Sequence, residues 1–263
     1  MNILKRELRA NLKSFLFWSL GLFFLVFVGM VKYTGIRADV NVSELFDQFP
    51  KIVLAVFGMV GLDITTLGGY YSIIIYYAII CGSIYGISLG CNVANREILD
   101  RTYEFIYTKP RSRKKILSIK LFAALFYLFF FCIFTIFFSF AAFSSLAIKD
   151  DLNQTVLLFT VSMFLVSVLF CCMGFFVSAI VKKAEKGYLY SNLLFLLFFV
   201  LSMVYDVLEK NAFLRPFAPL KYFLPIEILN GTLRVSYLFL CIALSAVFYV
   251  SALRLFEHKD LTA

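Results

Sequence analysis

One histidine, one tryptophan and five prolines are all that 263 residues hold of those types, and Asp, Glu, Lys and Arg together make up only 16%. The lone His258 excludes metalloproteases and membrane enzymes assembled on His clusters. No G-x-x-x-x-G-K-[ST] string occurs, so the chain has no loop of its own with which to hold ATP phosphates. The six cysteines (Cys81, Cys91, Cys132, Cys171, Cys172, Cys241) lack metal-ligand spacing beside histidines and read as small apolar filler, with no metal site. Charge is missing altogether from residues 14–31, 64–95, 121–148, 152–181, 187–205 and 235–253. Each stretch is long enough, at about 1.5 Å of helix per residue, to cross roughly 30 Å of hydrocarbon. Together with 62% hydrophobic residues and a mean hydropathy of +0.90, this excludes a water-soluble globular protein, a nucleic-acid-binding module and a secreted disulfide scaffold. The expected fold is all-α: one polytopic integral membrane domain over residues 1–263, with spans at about 14–31, 69–94, 121–147, 155–181, 187–205 and 235–253.

What charge there is falls unevenly. Of 25 Lys and Arg, 17 lie on the alternate segments that include both ends of the chain and 8 on the others, and 16 acids leave a net charge of +9. The positive-inside rule then expects both termini to be cytoplasmic. The basic excess therefore points to orientation in a membrane and to membrane lipid as a partner, not to nucleic acid.

Residues 1–13 form a pattern of their own. Leu4, Leu8, Leu12 and Phe15 recur at helical spacing, with Lys5, Arg6, Arg9 and Lys13 on the next arc. This predicts an amphipathic helix lying in the cytoplasmic interface ahead of the first span. After that span, residues 52–62 (IVLAVFGMVGL) are too short to cross and too apolar for free coil, and predict an interfacial or re-entrant helix. The segment before the last span carries Pro216, Pro219 and Pro225 among aromatics, which predicts short broken elements at the outer membrane surface.

Two patterns carry candidate function. Gly82, Gly86 and Gly90 stand four residues apart on one face of the second span, where missing side chains let a neighbouring backbone approach; tight helix packing and a flexible groove along a substrate path both use such a face. The loop NREILDRTYEFIYTKPRSRKKILSIK follows. Its Glu97, Asp100 and Glu104 share one helical stripe, Glu97 and Arg101 have the spacing of an ion pair, Pro110 ends that helix, and Ser112 is placed to cap the next ahead of Arg113, Lys114 and Lys115. A charged helix of this kind either docks on a partner protein or is a solvated stripe beside a topology-setting basic cluster.

The order Arg96-Glu97, Thr102-x-Glu104, Pro110-x-Ser112-Arg113 and Lys120 at the head of the third span resembles the signature of ABC-2 type (type-2 exporter) permease subunits of ATP-binding-cassette transporters. The segment PLKYFLPIEILNG, residues 219–231, is similar to the proline-aromatic stretch that many of these permeases place before span six. Two positions depart from the pattern: Arg101 stands where the family often has Gly, and Lys109 precedes Pro110 where a small or apolar residue is usual. The resemblance covers essentially the whole chain. It implies a non-enzymatic bacterial permease in the cell (cytoplasmic) membrane that pairs with a second permease copy or paralogue. Separate ATPase subunits, holding ATP and Mg, would bind beneath. It further implies a coupling helix around residues 97–107 through which those ATPases drive export, with Glu97, Asp100, Arg101, Thr102, Glu104, Pro110, Ser112 and Arg113 as the coupling residues.

The spans are expected to hold no Asp, Glu, Lys or Arg in their cores, and apolar, Phe-rich spans without buried charge favour a hydrophobic or amphipathic cargo: a drug, an antimicrobial peptide or a lipid-like molecule. The alternative is a passive channel or secondary carrier not coupled to ATP, whose usual mark, ionisable residues within spans, is missing from the uncharged runs. No residue pattern marks the substrate pathway.

Overall fold

A computed structural model describes residues 3–38, 48–100, 112–146, 152–208 and 211–259. Six of its helices are long and apolar enough to cross a membrane, and no strand occurs among the described residues. The protein is an all-α polytopic membrane protein.

The first helical stretch, α1 (Ile3–Ile36), includes a π-helical turn at Phe24–Val28. The amphipathic segment at residues 1–13 is not an element apart, because its described part forms the opening turns of α1. Of its apolar stripe, Phe15 is buried and Leu8 packs against the core, but the packed face also takes in polar residues the pattern did not mark. Ile3, Glu7, Asn11, Phe15, Ser19 and Leu22 are buried, whereas Leu12 is 45% exposed. Polar partners on neighbouring helices, described below, draw Glu7 and Asn11 inward.

The predicted helix at residues 52–62 is shorter than expected: α2 (Lys51–Val56) stops after six residues. Gly58 adopts a φ of 69°, its N–H donates to Ala55 O (3.1 Å), and Met59 N–H donates to Leu54 O (2.8 Å). That pair of bonds closes the last carbonyls, and the left-handed conformation it needs suits glycine.

Thr66 starts α3 (Leu67–Leu99), its hydroxyl accepting from Gly69 N–H at 3.1 Å. Ser112 starts α4 (Arg113–Ser145) as expected, its side chain accepting from Lys115 N–H. Next come α5 (Asn153–Ile180) and α6 (Gly187–Val207), the latter entered through a 3₁₀ turn at Ala184–Lys186. The proline-rich segment breaks into 3₁₀ turns at Arg215–Phe217 and Pro219–Lys221, then α7 (Pro225–Leu229), each with proline at its first or second position, where a missing N–H costs nothing. Finally α8 (Val235–His258) runs to the C-terminal region.

The spanning helices α3 and α5 form the centre. In their most apolar windows 72% and 67% of residues are buried within the molecule, against 11% in α8. The outer faces of α1, α6 and α8 present large apolar side chains such as Phe17, Leu197 and Phe239, as a lipid-facing surface requires.

Candidate functional site

The glycine face of α3 lies directly against α5. A Cβ built on Gly86 would fall on the carbonyl of Ser167, one on Gly90 on the carbonyl of Cys171, and one on Gly82 within 2.7 Å of Ser167 Oγ. Gly174 of α5 is equally crowded, by Ile87 O. At Gly86, Gly90 and Gly174 only hydrogen fits between the backbones, so α3 and α5 make main-chain contact there, beside side-chain contacts such as Tyr71 with Phe159. Gly86 and Gly90 therefore lie in a joint within the chain, and Gly82 faces the Ser167 and Met163 side chains of α5.

Both ends of the bundle are closed by buried polar groups. At the end that holds the start of α1 and the finish of α8, Glu97 of α3 pairs with Lys120 of α4 and Arg6 of α1. Lys120 and Glu97 are 0% and 1% exposed. Arg96 donates to Asn11 Oδ1 (2.7 Å) and reaches Glu7 Oε2 (3.4 Å), while Asn92 Nδ2 donates to Asn11 Oδ1 at 3.3 Å. Tyr127 of α4 donates to Leu8 O. Three helices, α1, α3 and α4, are thus tied by charge. Alongside, Asn95 Nδ2 donates to Ser178 Oγ of α5 (3.1 Å), and Lys259 Nζ donates to Ser178 O (2.6 Å) and Val181 O (2.8 Å), capping the carbonyl end of α5. Burial pulls the Lys259 ammonium below its ordinary pKa.

At the opposite end, Arg215 organises the proline-rich segment. Its Nη1 and Nη2 grip both carboxylate oxygens of Glu227 (2.9 and 2.6 Å), its Nε and Nη2 donate to Lys221 O and Tyr222 O, and the guanidinium lies 4.2 Å from the centre of the Tyr237 ring. Arg234 Nε adds a second cation to Glu227 at 2.6 Å. Burial alone would push the Glu227 carboxyl up, but the hydrogen bonds and charge of Arg215, with Arg234 beside it, hold it below the usual carboxylate range. Lys221, 3% exposed, pairs with Asp206 of α6 at 2.6 Å and lies over the Tyr76 ring of α3.

These placements correct one feature of the loop expected to couple. Glu97 does not share a solvated stripe with Asp100: it faces inward onto Lys120, whereas Asp100 is the exposed C-terminal cap of α3. Ser112 and Arg113 are exposed at the head of α4, and Arg113 Nη1 donates to Lys259 O at 3.2 Å. Arg101, Thr102, Glu104 and Pro110 lie outside the described residues.

Sequence reasoning missed the inward roles of Glu7, Asn11 and Lys120, and the whole Arg215–Glu227 assembly. The advance signal for the latter was two opposite charges flanking a proline-aromatic run whose one other charge is Lys221. It also read the interiors of spans as free of ionisable groups. The helices extend past the uncharged runs, and so carry Glu97, Lys120 and Asp206 into the protein.

The family model described as "ABC-2 family transporter protein" matches residues 1–261. No significant match was found among curated proteins.

Proposed function

The chain belongs to the ABC-2 family of transporter proteins and is a membrane permease of an ABC transporter, and from that premise we propose that it is an exporter subunit driven through the charged segment between α3 and α4. Family membership implies a partnership with an ABC ATPase subunit. In this reading the partner holds ATP and Mg, a second permease copy or paralogue completes the path, and the assembly sits in a bacterial cell membrane with the end that carries both termini facing the cytoplasm. The cargo is hydrophobic or amphipathic, in keeping with spans whose uncharged runs offer no ion relay.

The observation that supports coupling is the clamp at the base of that segment. The chain leaves the bundle just after Glu97 and re-enters it before Lys120, and these two side chains meet in a buried ion pair that also takes in Arg6. A push on residues 100–112 is therefore delivered to α3, α4 and α1 together instead of bending one helix end. Drive by ATP further requires that the ATPase bind two permease states with different affinity, and a docked cytoplasmic segment is a contact able to differ between them.

Asp100 and Glu104 are the residues to reverse, because Glu97 is committed to the interior. The Asp100→Lys, Glu104→Lys double variant is expected to insert and fold normally, yet to weaken co-purification of the ATPase or uncouple its hydrolysis from transport. A single charge at a partly exposed interface contributes only about 1 kcal/mol, which is why both are changed. Normal co-purification together with normal cargo-stimulated hydrolysis removes the coupling role and leaves the segment as a topology determinant.

A further inference from the structure

A cleft of about 490 Å³ opens where α5 ends and α6 begins. Its floor is Val177, Ile180 and Val181, and Tyr190 of α6 closes one wall. Ile180 and Tyr190 are 55% and 44% exposed, so the apolar surface is open. Around the rim stand Lys182, Lys183 and Lys186. All three are exposed, and none makes an ion pair among the described residues. Glu185, the one acid in that turn, does not line the cleft. Lys259 adds a further cation nearby, held on Val181 O.

We infer that this cleft binds an anionic phospholipid, its acyl chains against Val177, Ile180 and Val181 and its phosphate headgroup among Lys182, Lys183 and Lys186. The two halves of the site differ in what they demand. The floor belongs to the last turns of a spanning helix and so lies against hydrocarbon, where a water-soluble anion gains nothing. Three unpaired ammonium groups within five residues repel one another, and a neutral lipid leaves that repulsion in place. A ligand with an apolar tail and a negative head satisfies both, and ammonium side chains suit phosphate as mobile point charges without a fixed geometry. Assigning the lipid to the cytoplasmic leaflet rests on the orientation proposed above; the binding itself does not.

The experiment uses the purified full chain in detergent without any ATPase, so its failure is distinguishable from failure of the transport reading. Phosphatidylglycerol, phosphatidylcholine or inorganic phosphate is added, and thermal stability is followed together with the lipid retained in native mass spectrometry. Phosphatidylglycerol is expected to be retained and to raise the melting temperature, with phosphatidylcholine and free phosphate giving neither effect. The Lys182→Gln, Lys183→Gln, Lys186→Gln variant should bind it about 100-fold more weakly, since each lysine near an anionic headgroup contributes roughly a fivefold gain. Ile180→Trp, which fills the cleft and leaves its charge intact, should also displace the lipid, and serves if the triple variant does not fold. Lys13→Gln with Lys115→Gln, two exposed cations outside the cleft, should bind as the wild type does. Equal retention by wild type and the cleft variants overturns the site. So does an equal loss in the Lys13, Lys115 control, or a response to phosphate alone.

Discussion

The carboxylate of Glu97 in the last turns of α3 accepts the ammonium of Lys120 in α4, and both side chains are withdrawn from solvent and lipid. Taking two charges out of water is costly, and their attraction offsets that only while both are present. Glu97→Gln leaves Lys120 buried with no counter-charge from α3, and Lys120→Met leaves Glu97 with Arg6 alone. Each single change is expected to cost about 3–5 kcal/mol, whereas Glu97→Gln combined with Lys120→Met should recover much of the loss. Thermal unfolding of the four proteins in detergent measures this as a cycle. Single variants as stable as the wild type would mean that the pair does not hold α3 to α4.

The α3–α5 joint makes a second forecast, and one with an internal control. Gly90→Leu inserts four heavy atoms where the Cys171 carbonyl already stands, so the helices must separate, at a cost of at least about 1–3 kcal/mol. Gly21→Leu on α1 meets no atom within 4 Å and should be tolerated. If Gly90→Leu melts with the Gly21→Leu protein, the close backbone approach is not what joins the two helices.

How much of this was legible depended on whether the signal was local. Ser112 was readable as a cap because its partner, Lys115 N–H, is three residues away, and the prolines at 216, 219 and 225 announce breaks wherever they fall. The glycine face was readable from spacing, but not its partner, since nothing local singles out Ser167 and Cys171. The helical wheel of α1 marked Leu4, Leu8, Leu12 and Phe15 and passed over Glu7 and Asn11, because a pattern rule follows apolar residues alone. In a bilayer the lipid-facing side is as apolar as the core, so hydrophobic periodicity loses its meaning and polar side chains become the better sign of an inward face. Glu7 and Arg96 lie 89 positions apart in sequence, a contact no local pattern records.

Orientation is open to a direct check, motivated by the 17 to 8 division of basic residues. Single cysteines at Ser112 and at Asn153, both exposed, are placed in a background lacking the six native cysteines. An impermeant thiol reagent applied to intact cells should label position 153 and not position 112. Ser112→Cys forfeits a helix cap worth about 1 kcal/mol, too little to unfold the protein. The reverse labelling pattern would place both termini outside.

The last forecast concerns acid, and its sign follows from Glu227. Its carboxyl is held below the ordinary glutamate value of 4.5 because, despite partial burial, Arg215 and Arg234 favour its charged form. A carboxyl whose folded pKa is depressed binds its proton more readily in the unfolded chain. The stability it contributes is therefore fully present above about pH 4.5 and is lost as pH falls through the lower, folded value. Melting temperature measured from pH 6 to pH 3 should decline on the acid side in the wild type. Glu227→Gln lacks the titrating group, so it should start from a lower plateau and decline less steeply. The lower plateau follows because Arg215, 3% exposed, keeps its charge without a carboxylate to receive it. Other carboxylates titrate in the same window, so the difference between the two profiles, not the wild-type curve, carries the result. Parallel acid limbs in the two proteins would show that protonation of Glu227 is not what loosens the Arg215 assembly.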